Sequence, residues 1–461
     1  LHASWPSHQP NIGAEEPAPL FGERGMQRRL PDMPTPRHGE TTMKQTFLAV
    51  AVSTGVLSLS QPATADFLAD SKAGLEARNF YFNRDFRQDS ASQSKQEEWA
   101  QGFLLRYESG FTEGAVGVGV DAIGMLGLKL DSSADRSGSG LLKRNKEAPR
   151  AAQDEYGEMG LTAKFRASNS VLKLGTLQPK LPTIQANDSR LQPQTFQGGH
   201  LNSLEIDGLT FDAGQLQQVS QRDSSNSEDL SITTGSARAI SGGGTQTSDE
   251  FNFAGATYKW NSNLATGYNY GNLDELYKQH IYTVLHTLPL GDKQSLKTDL
   301  RYARSTDEGN SNVDNKAFGA MLTYALDGHA LGVGYQNMSG DTGYAYVNGT
   351  DPFLVNYVQI SDFANRDETS WQARYDFNFA SVGIPGLTFM TRYLTGDDID
   401  LGAGNADGKE WERNTDIAYV FQDGALKNLG VKWRNASLRS TNFGNDVDEN
   451  RLIVSYTLPL L

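Results

Sequence analysis

The residues of this sequence best suited to chemistry are cations at even spacings on short alternating segments. Arg374 and Arg392 lie on the two halves of SWQARYDFNFASVGIPGLTFMTRY (370–393), each on the polar face. An arginine guanidinium is planar and donates two parallel hydrogen bonds to a carboxylate, which a lysine ammonium cannot do. The pattern therefore indicates recognition of an anion, and in particular of a carboxylate.

Cations at even spacing on the polar face of a predicted strand recur near both ends of the chain. Side chains at even spacing share one face of a strand, because the strand repeat is two residues. If the strands close into a barrel, the first and last are neighbours, and these cations would follow one another along a continuous part of the wall. We call this set the basic ladder; its members are Arg78, Arg84, Arg374, Arg392, Lys432, Arg434 and Arg451.

The strength of such contacts suits passage rather than storage. A charge-assisted hydrogen bond contributes roughly 1.5–3 kcal/mol, so two or three would bind a carboxylate with about millimolar to micromolar affinity. A pore must recruit its solute and still release it. A simpler interpretation pairs each cation with a carboxylate such as Asp376 or Asp416 and assigns it only a role in hydration. For any single arginine that explanation is the better one. It explains less well why a set of cations is concentrated on one wall.

The segments that carry these cations alternate between apolar and polar residues, as β-strands with two different faces do. Tight turns, such as Asp327-Gly328 within 317–336, alternate with long polar loops such as 221–250 and 394–414. This layout is typical of a transmembrane antiparallel β-barrel. A soluble β-sandwich or propeller would also alternate. Aromatic residues near strand ends and the alternating final segment, RLIVSYTLPLL (451–461), favour the barrel.

Composition excludes several other classes. The chain has 461 residues, 47 glycines, no cysteine and a formal net charge of −14. After residue 65 no stretch approaches the roughly 18 apolar residues of a membrane-spanning helix. Without cysteine there is no disulfide, thiol nucleophile or cysteine-ligated metal, and the acidic balance argues against nucleic acid. We expect no cofactor. The acidic stretch 397–407 could bind Ca²⁺, but its spacing is not that of a known calcium loop, and a solvated loop is the simpler interpretation.

The N-terminal region carries a targeting signal. Residues 43–65, MKQTFLAVAVSTGVLSLSQPATA, have a lysine, an apolar core and a small-x-small end, the pattern of a secretory signal peptide. Residues 1–42 lack periodicity, and we interpret them as upstream over-translation or, alternatively, as a disordered extension. The predicted mature chain, 66–461, is a single barrel domain integral to the outer membrane of a Gram-negative bacterium.

Residues 66–461 resemble the OprD-type family of substrate-specific outer-membrane channels. The resemblance rests on several long stretches, including RNFYFNRDF (78–86), YESGFTEGAVGVGVDAIGMLGLKLD (107–131), DSRLQPQTF (188–196) and VQISDF (358–363). It implies a barrel of about 18 strands with short periplasmic turns, long extracellular loops and an inward-folded constriction loop. It also implies small carboxylates as solutes, lipid and lipopolysaccharide as surroundings, and a monomer that can form a loose homotrimer.

The resemblance assigns roles by position. It implies that 179–199 is the constriction loop and contains Arg190, that Arg166 is a wall arginine at the eyelet, and that Asp362 is the acidic group opposite the ladder. The family's own ladder matches five of the cations, Arg78, Arg84, Lys432, Arg434 and Arg451.

The sequence departs from some members of the family at two positions. Ala418 stands where they carry a ladder lysine, and Ile360 stands where they carry a tyrosine near the acidic site. Both changes weaken the interpretation of a basic amino-acid channel, which needs an ammonium pocket. The stretches 78–103 and QRDSSNS (221–227) are closer to the branch serving cyclic and aromatic carboxylates, including BenF-like benzoate and vanillate channels.

Three alternatives remain open. The chain could be a channel for basic amino acids, a less selective general porin or, more remotely, a plugged barrel acting as an adhesin or an enzyme. No motif assigns a catalytic residue. A plugged or catalytic barrel has no reason to carry cations from its first strand to its last, and removing ladder residues changes selectivity only in a selective channel.

Overall fold

The structure, a computed structural model, describes residues 67–88, 91–235 and 237–461. The predicted signal peptide (43–65) and the segment before it lie outside the described residues. Within the described ranges, no helix is long and apolar enough to cross a membrane.

In the described part of the chain, eighteen antiparallel strands form a closed barrel, because the first of them pairs with both the second and the last. In chain order the strands are β1 (Lys72–Phe86), β2 (Lys95–Glu108), β3 (Gly117–Asp131), β4 (Glu155–Ala167), β5 (Ser170–Leu177), β6 (Thr195–Ser203), β7 (Leu209–Ser220), β8 (Phe251–Lys259), β9 (Leu264–Leu273), β10 (Tyr277–Gly291), β11 (Gln294–Asp307), β12 (Asp314–Leu326), β13 (His329–Ser339), β14 (Thr369–Asn378), β15 (Leu387–Ile399), β16 (Gly408–Val420), β17 (Gly430–Thr441) and β18 (Val447–Pro459). The predicted fold class is confirmed.

The alternation of 370–393 produces the hairpin of β14 and β15. On β14, Trp371 is 51% exposed on the outer face, whereas the neighbouring Gln372 is 2% exposed and donates to the backbone oxygen of Val355 from an inward-folded loop. Apolar side chains thus face the bilayer and polar ones the lumen. The short segment 379–386 that joins the two strands contains one turn of 3₁₀ helix.

Connections at the two ends of the barrel differ in length, as predicted. Two-residue turns occur at one end, for example at 168–169 and 327–328, and the longest loops, 221–250 and 340–368, lie at the other. The prediction that 394–414 is one long loop is wrong, because β15 and β16 extend into it and leave only 400–407 between them. Charged side chains replace apolar ones where these strands emerge from the bilayer, so the apolar alternation fades before the strand ends.

Three of the long loops fold inward and pack against the wall. The largest buried apolar cluster joins Ile184 from loop 178–194, Leu230 from loop 221–250 and Val347 from loop 340–368 to wall residues such as Phe196 and Phe251. Burying an apolar side chain of this size contributes about 1.5–3 kcal/mol. The loops are therefore held inside the barrel by their own hydrophobic contacts.

Candidate functional site

The ladder cations lie on neighbouring strands around one wall of the lumen. Arg374 on β14 stands directly opposite Arg392 on β15. Arg434 on β17 stands opposite Arg451 on β18, and Arg451 in turn stands opposite Phe82 on β1. Closure of the barrel thereby brings the two ends of the sequence into one electrostatic surface.

Most ladder cations are paired with carboxylates. The N–O distances lie between 2.5 and 3.1 Å, and the pairs are Arg78–Glu76, Arg78–Asp188, Arg84–Glu449, Arg374–Asp376, Lys432–Asp416, Arg434–Asp416 and Arg451–Glu449. The two carboxylates suggested by the hydration interpretation, Asp376 and Asp416, are among these partners. Five carboxylates pair with these seven cations, and β16 adds two more to the same wall, Glu410 and Glu412, so the wall carries a row of cations without a formal excess of positive charge.

Arg392 differs from the other ladder cations. Its Nε donates to Asn414 Oδ1 at 2.7 Å, and within the described part of the chain no carboxylate lies within 4.0 Å of its guanidinium nitrogens. Its neighbour across the hairpin is Arg374, a second cation. The charge of Arg392 is therefore the least compensated on the ladder.

Arg451 joins two inward-folded loops to the wall. Its guanidinium donates to the backbone oxygens of Ser189, at 3.4 Å, and Gln359, at 3.2 Å. The side chain is 1% exposed, and Gln359 also donates to Glu449 at 2.9 Å. Arg451 therefore holds the constriction together and does not present its charge to open lumen, in contrast to the expectation for a ladder cation.

Arg78 fastens the constriction loop from the β1 side. Its guanidinium donates to Asp188 at 2.7 Å and to the backbone oxygen of Arg190 at 2.9 Å. Across the strand pair lies Gly102, where an added Cβ would approach the Leu191 side chain to 3.0 Å. The constriction loop thus lies directly on the wall at this point, and a side chain larger than that of glycine would press against Leu191.

Arg190 lies in the constriction loop, which spans 178–194 between β5 and β6, but it is buried rather than directed at the pore. Its Nε donates to the backbone oxygen of Ser139 at 3.0 Å, in the loop 132–154. Burial, together with the positive charges of Arg451 and Arg222, holds the pKa of Arg190 well below its usual value. This residue connects two loops.

Asp362 is engaged within the inward-folded loops. It accepts hydrogen bonds from the guanidinium of Arg238, in loop 221–250, and from the phenol of Tyr346. Burial lowers the pKa of Arg238, but Tyr346 and Asp362 more than offset this and raise it overall, so the guanidinium stays charged. The acidic group that the resemblance implies already has a partner from the same chain.

Arg166 lies away from the constriction. It is exposed, on β4 close to the turn 168–169, and its guanidinium sits 4.5 Å from the centre of the Phe111 ring. The constriction loop leaves the opposite end of β5, about 20 Å away at 3.3 Å per residue. The expected eyelet position of Arg166 does not agree with its place at the short-turn end of the barrel.

Sequence reasoning missed a group of buried carboxylates on β16. Glu412 accepts the backbone N–H groups of Ile360, at 3.1 Å, and Ser361, at 2.7 Å. Glu410 accepts a bond of 3.1 Å from Asn365. Both anchor loop 340–368. Their even spacing on the inner face was a usable signal, but it was hidden by the interpretation of 394–414 as a loop.

The acidic stretch near 397–407 shows ordinary ion pairing. Asp397 lies 3.0 Å from Lys409, and Asp400 lies 2.6 Å from Arg366. Across the described ranges, no group of three or more histidine, cysteine, aspartate or glutamate side chains is arranged to hold a metal ion.

Loop 340–368 is expected to be held more firmly at pH 5 than at pH 8. Glu368, its last residue, is fully buried, and burial raises its pKa to about 7. An ordinary glutamate has a pKa of about 4.3, so between pH values of about 4.3 and about 7 the folded loop holds a proton that the unfolded loop has lost. The stability of the folded loop therefore falls as the pH rises through that window. Open-channel current noise at the two pH values measures the effect. Glu368→Gln should reduce the difference, since the carboxylates of Glu410 and Glu412 still hold the same loop, and an unchanged difference in that variant would contradict this assignment.

Comparisons with known proteins agree with one another. A family model described as outer membrane porin, OprD family, matches residues 65–460. The porin-like protein GalP of Pseudomonas putida is 39% identical over 429 residues, which covers 91% of this chain and 100% of that protein. The crystal structure of Pseudomonas aeruginosa OpdQ is 66% identical with a TM-score of 0.79, and that of a BenF-like porin from Pseudomonas fluorescens is 39% identical with a TM-score of 0.81; each match covers 86% of this chain and 100% of the other.

Proposed function

Because this chain belongs to the OprD family of outer-membrane porins, it is a channel of the Gram-negative outer membrane rather than an enzyme, and we propose that its solutes are small carboxylates. The observation that carries the proposal is a row of seven cations on one wall of the lumen, among which Arg392 has no carboxylate within 4.0 Å in the described part of the chain, although the formal net charge of the chain is −14. An anion entering the lumen meets this row of cations on a protein that is acidic overall.

The facing pair of Arg374 and Arg392 is the proposed point of direct recognition. Like charges directly opposite one another on neighbouring strands are unfavourable, and a solute carboxylate beside both guanidinium groups would offset this repulsion. Two charge-assisted hydrogen bonds, each contributing roughly 1.5–3 kcal/mol, hold the solute loosely enough for passage. The partly exposed ladder cations Arg84, Lys432 and Arg434 would exchange their own carboxylate partners for the carboxylate of the solute.

Within this class we favour aromatic or cyclic carboxylates such as benzoate over basic amino acids. A basic amino acid needs an acidic partner for its ammonium group, and Asp362 is already bonded to Arg238 and Tyr346. Ala418 stands opposite Lys432 without a charge of its own. A BenF-like porin among the structural relatives supports the aromatic branch by analogy.

Single-channel recording of residues 66–461, refolded into a planar bilayer, tests this proposal. Benzoate, vanillate, arginine and glucose are added in turn, and we expect benzoate and vanillate to interrupt the current while glucose leaves it unchanged. A response to arginine alone would support the basic amino-acid channel. Equal responses to all four solutes would support a general porin, and no conductance would support a plugged barrel.

Two further proposals concern the processing of the N-terminus and the assembly of the barrel. We propose that the signal peptide 43–65 is removed and that the mature chain begins at Asp66; N-terminal sequencing of the protein from outer membranes checks this. We also propose a loose homotrimer, embedded in lipid and lipopolysaccharide, that dissociates on detergent dilution. The mass of a monomer at all detergent concentrations would contradict the trimer.

A further inference from the structure

A cavity of about 650 Å³ lies between the constriction loop and the short-turn end of the barrel. Strands β2 to β6 form its wall, and the first residues of the constriction loop, 178–181, cover it. Its position places it after the constriction for a solute that enters from the long-loop side. We call it the exit vestibule and define it by Arg106, Asp121, Lys164, Lys173, Leu177 and Lys180.

The three lysines of the exit vestibule differ in how fully their charges are already paired. Lys164 is buried, donates to the backbone oxygen of Ser109 at 2.6 Å and is ion-paired with Asp121 at 2.6 Å. Lys173, opposite it on β5, lies 3.3 Å from the same carboxylate, and its side chain remains 43% exposed. Lys180, at the base of the constriction loop, is exposed. Lys173 and Lys180 therefore have charge to offer to a solute.

Apolar side chains lie beside these two lysines. Leu177 and Leu181, at the end of β5 and the start of the constriction loop, line the cavity, as do Val171 and Ile123. An aromatic ring placed against them would lose contact with water while its carboxylate stayed within reach of the lysines. The volume exceeds that of a single-ring acid, which allows the solute to leave.

The exit vestibule is also connected to the ladder. The carboxylate of Glu76 accepts from Arg78 Nε at 2.9 Å and from Arg106 at 3.2 Å. Arg78 belongs to the ladder and Arg106 lines the vestibule. A solute that displaces Glu76 from one guanidinium would stay next to the other, so the row of cations continues past the constriction.

We propose that the exit vestibule is a second binding site, which takes an amphipathic monocarboxylate with its carboxylate on Lys173 and Lys180 and its ring on the partly exposed Leu181. The site rests on the proposed function, because the solute reaches it by way of the ladder. It gives the channel two binding steps in series, one on each side of the constriction.

Side-dependent block by benzoate tests the site. Channels are oriented by antibody block of a tag placed in the extracellular loop 400–407, and benzoate is then added on the short-turn side. In Lys173→Gln/Lys180→Gln we expect the benzoate residence time to be roughly fivefold shorter, since two partly exposed charge-assisted contacts are lost. The frequency of events from the long-loop side should remain that of the wild type. Acetate, which lacks the ring, and benzamide, which lacks the charge, should both bind more weakly than benzoate.

Lys297→Gln is the matched control. Lys297 is an exposed lysine on the inner face of β11, close to the same end of the barrel, and does not line the cavity. It should leave the residence time unchanged. A wild-type residence time in the double variant, together with reduced benzoate permeation in Arg392→Gln, would overturn the vestibule site and leave the ladder intact. Absence of benzoate events from either side of the wild-type channel would overturn both.

Discussion

Replacement of Arg451 by alanine is expected to raise the open-channel conductance several-fold and to destabilise the barrel. Arg451 is buried, lies 2.5 Å from Glu449 and donates to backbone oxygens of both the constriction loop and loop 340–368. Removing one partner of a buried ion pair typically costs about 3–5 kcal/mol, part of which the second partner of Glu449, Arg84, would recover. Without this joint the two loops lose their common attachment to the wall, and the lumen widens.

Single-channel conductance and the temperature of barrel unfolding measure the two effects of Arg451→Ala. Arg304→Ala is a suitable control, because Arg304 is a half-exposed arginine that pairs with Asp314 near the rim, and exposed pairs contribute only about 0–1 kcal/mol. The control should retain both the conductance and the unfolding temperature of the wild type. Wild-type conductance in Arg451→Ala would show that the constriction does not depend on this joint.

Arg392→Gln should reduce the benzoate-over-potassium permeability ratio more than any other single substitution on the ladder. Two unit charges 4 Å apart in water interact by about 1 kcal/mol, which corresponds to roughly a fivefold change in the local concentration of an anion. The guanidinium of Arg392 binds an asparagine oxygen rather than a carboxylate. Its charge is therefore less compensated than that of the paired ladder cations, and glutamine keeps a polar side chain on the inner face of the hairpin.

Lys432→Gln provides the comparison for Arg392→Gln. It removes the same formal charge, but the Lys432 ammonium lies 3.1 Å from Asp416, which also pairs with Arg434. We expect it to lower the permeability ratio by less than half as much. Equal effects from the two substitutions would mean that net lumen charge, rather than the pairing of each cation, determines selectivity.

The barrel could be predicted from sequence because its strands obey one simple constraint. Each residue faces either lipid or lumen, so polarity alternates with a period of two, and the hairpin at 370–393 and the turn at 327–328 both follow from that pattern. The adjacency of β1 and β18 follows from closure alone. These features are set locally, or by topology, and do not depend on the details of packing.

The partners of the ladder cations could not be predicted in the same way. Glu449 binds Arg84, which is 365 residues away along the chain, and this contact depends on the register of two strands. The buried positions of Arg190 and Arg451 depend on where the inward loops come to rest. Glu410 and Glu412 escaped notice because strand β16 emerges into a charged region where apolar alternation no longer marks it.

The zero-current potential of the wild-type channel across a tenfold gradient of potassium benzoate tests the central claim most directly. If the ladder is the path of the solute, the potential has the sign set by benzoate, because ladder cations such as Arg392 bind the benzoate carboxylate as it passes. The formal net charge of −14 alone predicts the sign set by potassium. A benzoate-directed potential would place the anion on the ladder, and a potassium-directed potential would contradict the ladder as the path of the solute.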